Sequence, residues 1–577
     1  MIAASPASSP SAAEQPRQQA QFGAGVGVAV ALALGFTIVS AVAMTLQVRA
    51  HYLTHLPHFD SIGSYFNAYA VMNAAANGGV LAGLAHATSI SLTWLQPLYA
   101  LLLAWLPARS PEWLVSLNFL VMLATQGAIA VWCRDQGYGW RQSTVLLLLP
   151  YGPGAFFAWD GGLQDWRRDI QLNVLLIGVL FISLAYVLRP TLRTALAFGV
   201  LLGLAQWSRD NALSILLVMV APASGIVVWQ AVRERRWLLP LTRAAVPVAV
   251  YLAMAVPYYV ITIQTTIARY LYSVWGPGED RWASLRQFWS SPVDVLLGGT
   301  VAYNGQPPTG RATLIALGLL AALLVAAMLL RLLRLHLAGL FTQRAAVMIG
   351  SGLFVMVGVV VYNTLGLGYG AQYHGMPFVP VAAGLVAVAA GLSDAVRAGG
   401  GWQRHGDTFR TVLLLCSMVG LLGLNVYRVR ANDYGPVGAD TVAAVREASV
   451  LVAERAANRQ VAVLWLHGFS RYHITYYQSQ ANQPPLDFTA TGIDGPLRPG
   501  QRAEDVLAAH EAQINAVAAV VVVNEDTSQY AIPTAVNPMF REGQPLVERI
   551  LANPAFEVVH RFSVGGQPLV VLERLAR

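Results

Sequence analysis

Long apolar runs alternate with short polar segments along roughly the first 430 residues of the chain. A helix of about 20 apolar residues is long enough to cross the hydrocarbon core of a bilayer. The first run, Gly23–Val48, exceeds a signal-peptide core and lacks a small-residue cleavage site, so it predicts an uncleaved first span. Ten further spans are predicted at Trp113–Cys133, Ser143–Ala158, Ile170–Leu188, Thr194–Trp207, Ala212–Ala231, Leu238–Ile261, Ala312–Leu335, Ala345–Tyr362, Gly375–Ser393 and Thr411–Tyr427.

The run Leu92–Pro107 decides the topology, because counting it as a span reverses the side of every later loop. It is short and contains Pro97, which favours a re-entrant or interfacial segment. If this run does not cross the membrane, the cytoplasmic segments hold fifteen arginines against five acidic residues, and the outer loops hold nine of each. Arginine-rich loops stay on the cytoplasmic side. The pattern therefore predicts a multi-pass plasma (inner) membrane protein with about eleven transmembrane helices.

Composition agrees with a bilayer protein and excludes other classes. The chain is 56% hydrophobic and only 11% charged, which lies outside the range of soluble globular proteins. Its net charge of +8 comes from arginines, and those in the short loops are explained by membrane orientation. Nucleic-acid binding is therefore not expected.

The two ends of the chain differ from the apolar middle. Residues 1–22, rich in Ala, Ser, Pro and Gln, predict a disordered cytoplasmic tail, and residues 23–430 form the transmembrane domain. After residue 430 charges become frequent and short strand patterns replace the apolar runs. These are Val461–Leu466, Val517–Val523 and a hairpin over Phe556–Leu572, with a helix at Arg502–Asn515. Residues 431–577 are therefore predicted to form a soluble, extracytoplasmic α/β domain.

Asp60 is the first candidate for chemistry. It lies in the polar and aromatic segment His51–Asn77, which follows the first span, and no basic residue is close to it in sequence. An unpaired carboxylate at a membrane surface is costly unless it is functional. It can act as a general base or ligate a metal, or it can simply cap the following helix.

A second acidic loop contains Asp160, Asp165 and Asp169 and is also predicted to be outside. Glycines after Asp160 leave room for a phosphate or a metal to approach the backbone. Asp165 and Asp169 are spaced for one helical face. The adjacent arginines, 167 and 168, are an alternative, since they can neutralise these carboxylates. Asp60 and Asp160 are the residues expected to hold a divalent metal, Mg or Mn, if one is bound.

Other outer residues add possible substrate contacts. Arg209 lies in a short turn between two spans, where its guanidinium suits a lipid phosphate or pairs with Asp210. Tyr373 and His374 supply hydrogen-bonding groups in the same layer, and His58 is a candidate for lining the cavity. A zinc site on the three histidines at 51, 55 and 58 is disfavoured, because a proline interrupts their common helical face.

Four features together resemble the GT-C superfamily of polytopic membrane glycosyltransferases: the uncleaved first span, HFDSIGSYFNAY with its outer aspartate, the short run WLQPLYALLLAWLP, and WDGGLQDWRRDIQLNVLL. Protein mannosyltransferases, the aminoarabinose transferase of lipid A and the oligosaccharyltransferase catalytic subunit belong to it. The resemblance covers roughly residues 23–430. It matches Asp60 to the first-loop acid and Asp160 or Asp165 to the second-loop acid.

The resemblance implies a polyprenyl-phosphate-sugar donor and transfer with inversion to an extracytoplasmic glycan, lipid or protein. The first-loop aspartate would be the base that deprotonates the acceptor hydroxyl. A transporter or flippase of lipid-linked saccharide is the alternative from another class, and it predicts inverted repeats or helices broken at mid-membrane. A saccharide polymerase is the third, and it would depend on outer-loop arginines.

Overall fold

In the computed structural model of the chain, the residues described are 14–57, 59–90, 93–106, 109–151, 163, 166, 168–210, 212–275, 350–351, 438–457, 459–464, 471–483, 486–489, 502–525, 544–564 and 566–575. The four predicted spans after residue 275 lie outside these residues, apart from positions 350 and 351. The predicted count of eleven spans therefore stays a prediction.

In the described part of the chain, five helices are long and apolar enough to cross a membrane. Each coincides with a predicted span, so these spans are confirmed as long apolar helices. They are α1 (Glu14–His51), α4 (Pro111–Gln136), α6 (Arg168–Leu188), α8 (Ala212–Glu234) and α9 (Leu239–Trp275). The first of them begins at Glu14, so its backbone is already helical within the segment predicted to be disordered.

Four shorter or broken helices lie between these spans. They are α2 (Phe59–Ser89), α3 (Leu95–Leu103), α5 (Trp140–Leu148, followed by a 3-10 turn at Leu149–Tyr151) and α7 (Leu192–Ser208). Helix α3 has 9 residues, which is about 13 Å and less than half of the hydrocarbon thickness. The prediction that the run Leu92–Pro107 does not cross as a simple span agrees with this length.

By its internal contacts the chain divides into two compact units. The first comprises Met1–Ala43, Thr88–Leu95 and Ser116–Asn432, and the second comprises Met44–Ala87, Gln96–Val115 and Asp433–Arg577. The second unit therefore contains the segment after the first predicted span, the segment before the next predicted span and the C-terminal region.

Helix α6 is the core of the first unit, since its whole apolar span is buried. Polar side chains on α4 tie the two helices together: Thr125 Oγ1 donates to the Val174 carbonyl at 2.9 Å, and Gln171 donates to Asn118. At Gly178 a Cβ would lie 3.0 Å from Thr125 Oγ1, so glycine allows this close approach. Such bonds satisfy polar groups that apolar surroundings would otherwise penalise.

The C-terminal part of the second unit is built on a five-stranded sheet. Its strands are β1 (Val461–Val463), β2 (Phe488–Thr489), β3 (Val520–Asn524), β4 (Phe556–Val564) and β5 (Gln567–Arg574), in the order β2-β1-β3-β5-β4. Parallel pairs flank β1, and β3, β5 and β4 are antiparallel. The predicted hairpin is present as β4 and β5, and Gly566 at its turn has φ 84°.

Helices cover this sheet, and valines fill its centre. All five residues of β3 are buried, as expected for a strand enclosed on both faces. The helices of the region are α10 (Ala439–Ala456), α11 (Arg471–Gln480), α12 (Ala503–Val517) and α13 (Gln544–Leu551). Leu507, Ile514 and Leu546 from α12 and α13 pack with Val521 and Leu572 into one core.

Candidate functional site

Three of the eight predicted site residues lie in the described part of the chain. Asp60 is in the first turn of α2, Asp169 is in the first turn of α6, and Arg209 is the residue after α7. The other five, His58, Asp160, Asp165, Tyr373 and His374, lie outside the described residues. Their proposed roles therefore stay predictions.

Asp60 is the second residue of α2, because the helix begins at Phe59. A residue that caps a helix stands before the first turn, whereas Asp60 stands within it. The backbone thus presents the predicted base at the end of a helix.

The face of α2 that follows Asp60 is buried against the C-terminal helix α11. Tyr65 and Tyr69 of α2 are fully buried, and their rings lie 5.9 Å and 5.7 Å from the ring of Tyr476 in edge-on contacts. Tyr477 continues the group at 4.9 Å from Tyr476. On the other side the Tyr52 hydroxyl lies 3.1 Å from that of Tyr65. We call these five side chains the tyrosine cluster; it fixes α2 within the second unit.

Polar contacts reinforce the same interface. Asn73 Nδ2 donates to the Ser479 carbonyl at 3.0 Å, and Asn73 Oδ1 accepts from the Arg109 guanidinium. Gln480 Nε2 donates to the Arg109 carbonyl at 3.3 Å. A single asparagine on α2 therefore joins α11 to the segment before α4, and all three pieces belong to one compact unit.

Burial keeps three tyrosines of the cluster neutral. It raises the pKa values of Tyr69 and Tyr476 well above the ordinary value for tyrosine. Burial also raises the pKa of Tyr477 to about 12, and the positive charge of Arg446 partly opposes that rise. These hydroxyls are thus hydrogen-bonding and packing groups at physiological pH, and they are unsuited to act as bases there.

An open groove of about 1300 Å³ runs beside the tyrosine cluster in the second unit. The end of α1, the start of α4, α10 and α11 line it, and Tyr476 and Tyr477 form part of its wall. Trp113 is 47% exposed there. Charged residues of both signs line the same groove: Arg49, Glu112, Arg446, Glu447 and Glu454. The groove offers an aromatic surface and charged groups of both signs, and it carries no large excess of charge.

In the first unit, the turn between α7 and α8 buries both of its charged residues. Arg209 is 1% exposed and Asp210 is 4% exposed. Gln206 Nε2 donates to the Arg209 carbonyl at 3.3 Å, and its Oε1 accepts from the Tyr251 hydroxyl at 3.2 Å. Sequence analysis placed Arg209 in a short turn between helices, which is correct. Its burial means that a phosphate would reach this guanidinium only inside the unit.

Two described residues anchor the second acidic loop. Leu163 and Trp166 are fully buried, and the Leu163 carbonyl accepts from Asn118 Nδ2 at 3.0 Å. Trp166 is not helical and α6 begins only at Arg168, so the helix that would place Asp165 and Asp169 on one face starts after Asp165.

No group of three His, Cys, Asp or Glu residues suited to a metal lies among the residues described. His51 and His55 stack, with ring centroids 3.9 Å apart, and His55 Nδ1 lies 3.1 Å from the His51 carbonyl. A metal held by Asp60 and Asp160 stays a prediction, because Asp160 lies outside the described residues.

Comparison with known proteins adds a likeness to solved structures. No protein-family model and no curated protein sequence matches the chain. ArnT from Cupriavidus metallidurans, solved bound to undecaprenyl phosphate, is 14% identical with a TM-score of 0.48, over 93% of this chain and 97% of that one. The likeness is one of fold.

Two structures of an archaeal enzyme are also similar. The oligosaccharyltransferase of Archaeoglobus fulgidus in its apo form is 12% identical with a TM-score of 0.46, over 90% of this chain and 72% of that one. The A. fulgidus oligosaccharyltransferase AglB, in complex with an inhibitory peptide and a dolichol-phosphate, is 12% identical with a TM-score of 0.44, over 93% and 74%.

Sequence reasoning did not identify the residues that hold α2 in place. Tyr65, Tyr69 and Asn73 follow one another at helical spacing, so the pattern does show a single face. The pattern does not say what covers this face, and in the structure it contacts α11. The local sequence does not indicate a role for Tyr476, Tyr477 or Arg109.

Proposed function

We propose that the chain is a membrane glycosyltransferase that moves a sugar from a polyprenyl-phosphate-linked donor to an acceptor outside the cytoplasm. One observation carries most weight: Asp60 lies in the first turn of a helix whose next turns are packed and hydrogen-bonded to C-terminal residues. A catalytic group gains most when a rigid element holds it in place. The GT-C resemblance assigns Asp60 the role of first-loop acid, and this helix supplies the rigidity.

In the proposed reaction, Asp60 accepts the proton of an acceptor hydroxyl. The hydroxyl oxygen then attacks the anomeric carbon of the sugar, the bond to the lipid phosphate breaks, and the polyprenyl phosphate leaves from the opposite face. Configuration at that carbon is inverted. The phosphate gains negative charge as it departs, so a cation beside it lowers the barrier. We propose that this cation is either a metal held by the second acidic loop or the guanidinium of Arg209.

The C-terminal region is proposed to orient the acceptor. It contacts α2 only a few turns after Asp60, and the groove beside the tyrosine cluster presents Trp113 together with charged groups of both signs. Aromatic faces with nearby donors and acceptors suit a polar organic ligand such as a saccharide. In this proposal the groove is where the acceptor is recognised.

Asp60→Asn tests the assignment. The purified protein is incubated with radiolabelled polyprenyl-phosphate sugars and cell-envelope acceptors, and labelled product is measured. Loss of a positioned base costs about 10² to 10⁴ in rate, while the amide keeps the shape and the fold. Asp440→Asn is the matched control, because Asp440 lies in the first turn of α10 and is exposed. Full activity of Asp60→Asn would move the base to the second acidic loop.

Metal dependence has its own test. If Asp60 and the second loop share a cation, chelation of divalent metals abolishes transfer, and Mg or Mn restores it. Activity that is unchanged after exhaustive chelation would leave Arg209 as the group that neutralises the departing phosphate.

A further inference from the structure

A narrow cavity of about 400 Å³ lies between helices of the first unit, and Tyr251, which donates to Gln206, is one of its lining residues. Helices α8 and α9 form its long walls, and the ends of α6 and α7 complete it. Nearly all of the lining side chains are aliphatic or aromatic. Several of them, including Leu217, Val228 and Leu252, are 46% exposed or more, so the cavity opens along the outer surface of the helices. We call it the α8–α9 groove.

One end of the groove is polar. Arg243 is the charged residue among its described lining residues, and it lies in the second turn of α9. The Tyr186 hydroxyl, at the end of α6, donates to the Arg243 carbonyl at 2.7 Å. This bond holds the backbone that carries the guanidinium, and it places a cation where an apolar groove meets the ends of two helices.

The groove is about as long as one leaflet along α9 and longer along α8, where its lining extends from Leu213 to Val228, which is about 22 Å along a helix. Its lining on α9 extends from Pro240 to Leu252, which is about 18 Å along a helix. Half of the hydrocarbon core is about 15 Å. A chain that starts beside Arg243 and follows α9 would therefore reach the middle of the membrane. The lining on α8 continues beyond that depth to Leu213, the second residue of the helix.

We propose that the α8–α9 groove binds an anionic phospholipid of the inner leaflet. Its phosphate contacts Arg243 and one acyl chain lies along α8 and α9. The chemistry is complementary, because basic pockets between helices at the cytoplasmic surface recognise anionic headgroups and an apolar groove suits a lipid chain. Arginine asymmetry places the Arg243 end inside. The sugar donor of the proposed reaction acts outside, so this is a separate lipid site and does not rest on the proposed function.

The test titrates the purified full-length protein with phosphatidylglycerol and counts bound lipids by native mass spectrometry. Arg243→Ala is expected to weaken the retained lipid by roughly tenfold, since a charge-assisted contact is lost. Ser224→Trp is expected to prevent binding, because Ser224 is an exposed lining residue and the indole fills the groove. Both variants should keep the wild-type melting temperature.

Matched controls lie on the same elements outside the groove. Arg236→Ala removes an exposed arginine from the same helix connection, and Val232→Trp adds the same indole elsewhere on α8; both residues are exposed. Each control should bind lipid like the wild type. Equal lipid retention by Arg243→Ala and Arg236→Ala would overturn the proposal, because the arginine would then have no specific role.

The identity of the occupant is tested by photocrosslinking from Leu217, which lines the groove and is 59% exposed. With phosphatidylglycerol present, the expected product is the protein plus one lipid. A crosslink within the chain or to a second copy would overturn the proposal, since protein would then fill the groove. Stronger binding of undecaprenyl phosphate than of phosphatidylglycerol, lost in Arg243→Ala, would also overturn it in favour of a donor-type lipid.

Discussion

Asn73 uses both ends of its amide in the second unit. The nitrogen donates to the Ser479 carbonyl and the oxygen accepts from Arg109. Neither a carboxylate nor an aliphatic side chain can do both, because the two partners require a donor and an acceptor at once. The position therefore specifies asparagine even though nothing in the local sequence singles it out.

Asn73→Ala is expected to lower the melting temperature of the protein. Losing the amide leaves a carbonyl and a guanidinium without this partner, which costs about 1 to 3 kcal/mol, or several degrees for a unit of this size. Asn77→Ala, one turn later and exposed, should change the melting temperature by little. Equal melting of the two variants would mean that the Asn73 contacts do not stabilise the unit.

The buried tyrosines make stability depend on alkaline pH. Tyrosine in an unfolded chain has a pKa near 10, whereas burial raises the pKa of Tyr477 to about 12 in the folded protein. The folded state therefore holds this proton more tightly. The resulting stabilisation is complete below about pH 10 and is lost as the pH rises towards 12.

Tyr477→Phe is expected to make that alkaline loss shallower. The variant keeps the ring but removes one titrating group, so its melting temperature should fall less between pH 10 and 12 than that of the wild type. Melting curves recorded from pH 8 to 12 check this. Parallel curves for the two proteins would show that Tyr477 ionises equally in the folded and unfolded states.

At the scale of elements, α2 is two helical stretches joined at Gly79. This glycine has φ 81° and ψ 178°, a backbone conformation that residues with a Cβ rarely adopt. A Cβ built there would meet nothing within 4 Å, so glycine is needed for its backbone conformation alone. The break separates the segment that packs on α11 from the stretch that leads to Ser89.

Alanine substitutions on α2 should therefore act in opposite directions. Gly79→Ala is expected to destabilise the protein by about 1 to 3 kcal/mol, because the native conformation becomes strained. Gly63→Ala is expected to be neutral or to stabilise by up to about 1 kcal/mol, since Gly63 is helical and its Cβ also meets nothing. Thermal melting of both variants decides the point, and a stabilised Gly79→Ala protein would contradict the kink.

The apolar helices are the elements that sequence pattern predicts well. Hydropathy alone locates α4, α6 and α8 and the start of α9 to within a few residues, because length and apolarity are what a bilayer requires. Strand patterns likewise locate β3 and the β4–β5 hairpin. The pattern does not say that α2 packs against protein, since an apolar face suits lipid and protein equally. It also does not reveal that Arg209 is buried, because burial depends on neighbours distant in sequence.

At the scale of the whole molecule, topology is the prediction that organises the others. Residues 431–577 and Asp60 are expected outside, and the connection between α8 and α9 inside. Single cysteines at Arg236 and Glu504, both exposed in the structure, test this with an impermeant thiol reagent on intact cells. Glu504→Cys should react directly and Arg236→Cys only after permeabilisation. The reverse pattern would place Asp60 in the cytoplasm and remove it from the proposed outer site.

Only part of the candidate site can be predicted from the sequence. Asp60 is identifiable because an isolated carboxylate beside a span is unusual in any sequence. Its support is not identifiable, since Asn73 and Ser479 are 406 residues apart. No local pattern indicates which distant helix will cover a given face.

That separation has a consequence for biosynthesis. Ribosomes add about 5 to 20 residues per second, so about 20 to 80 s pass between synthesis of Asn73 and of its partner 406 residues later. Throughout that interval Tyr65 and Tyr69 lack the helix that buries them. A nascent chain that stops early would leave this face of α2 exposed. Chaperones and proteases act on chains with such exposed apolar surface. A chain in which Tyr65 and Tyr69 are covered has therefore been translated at least as far as α11.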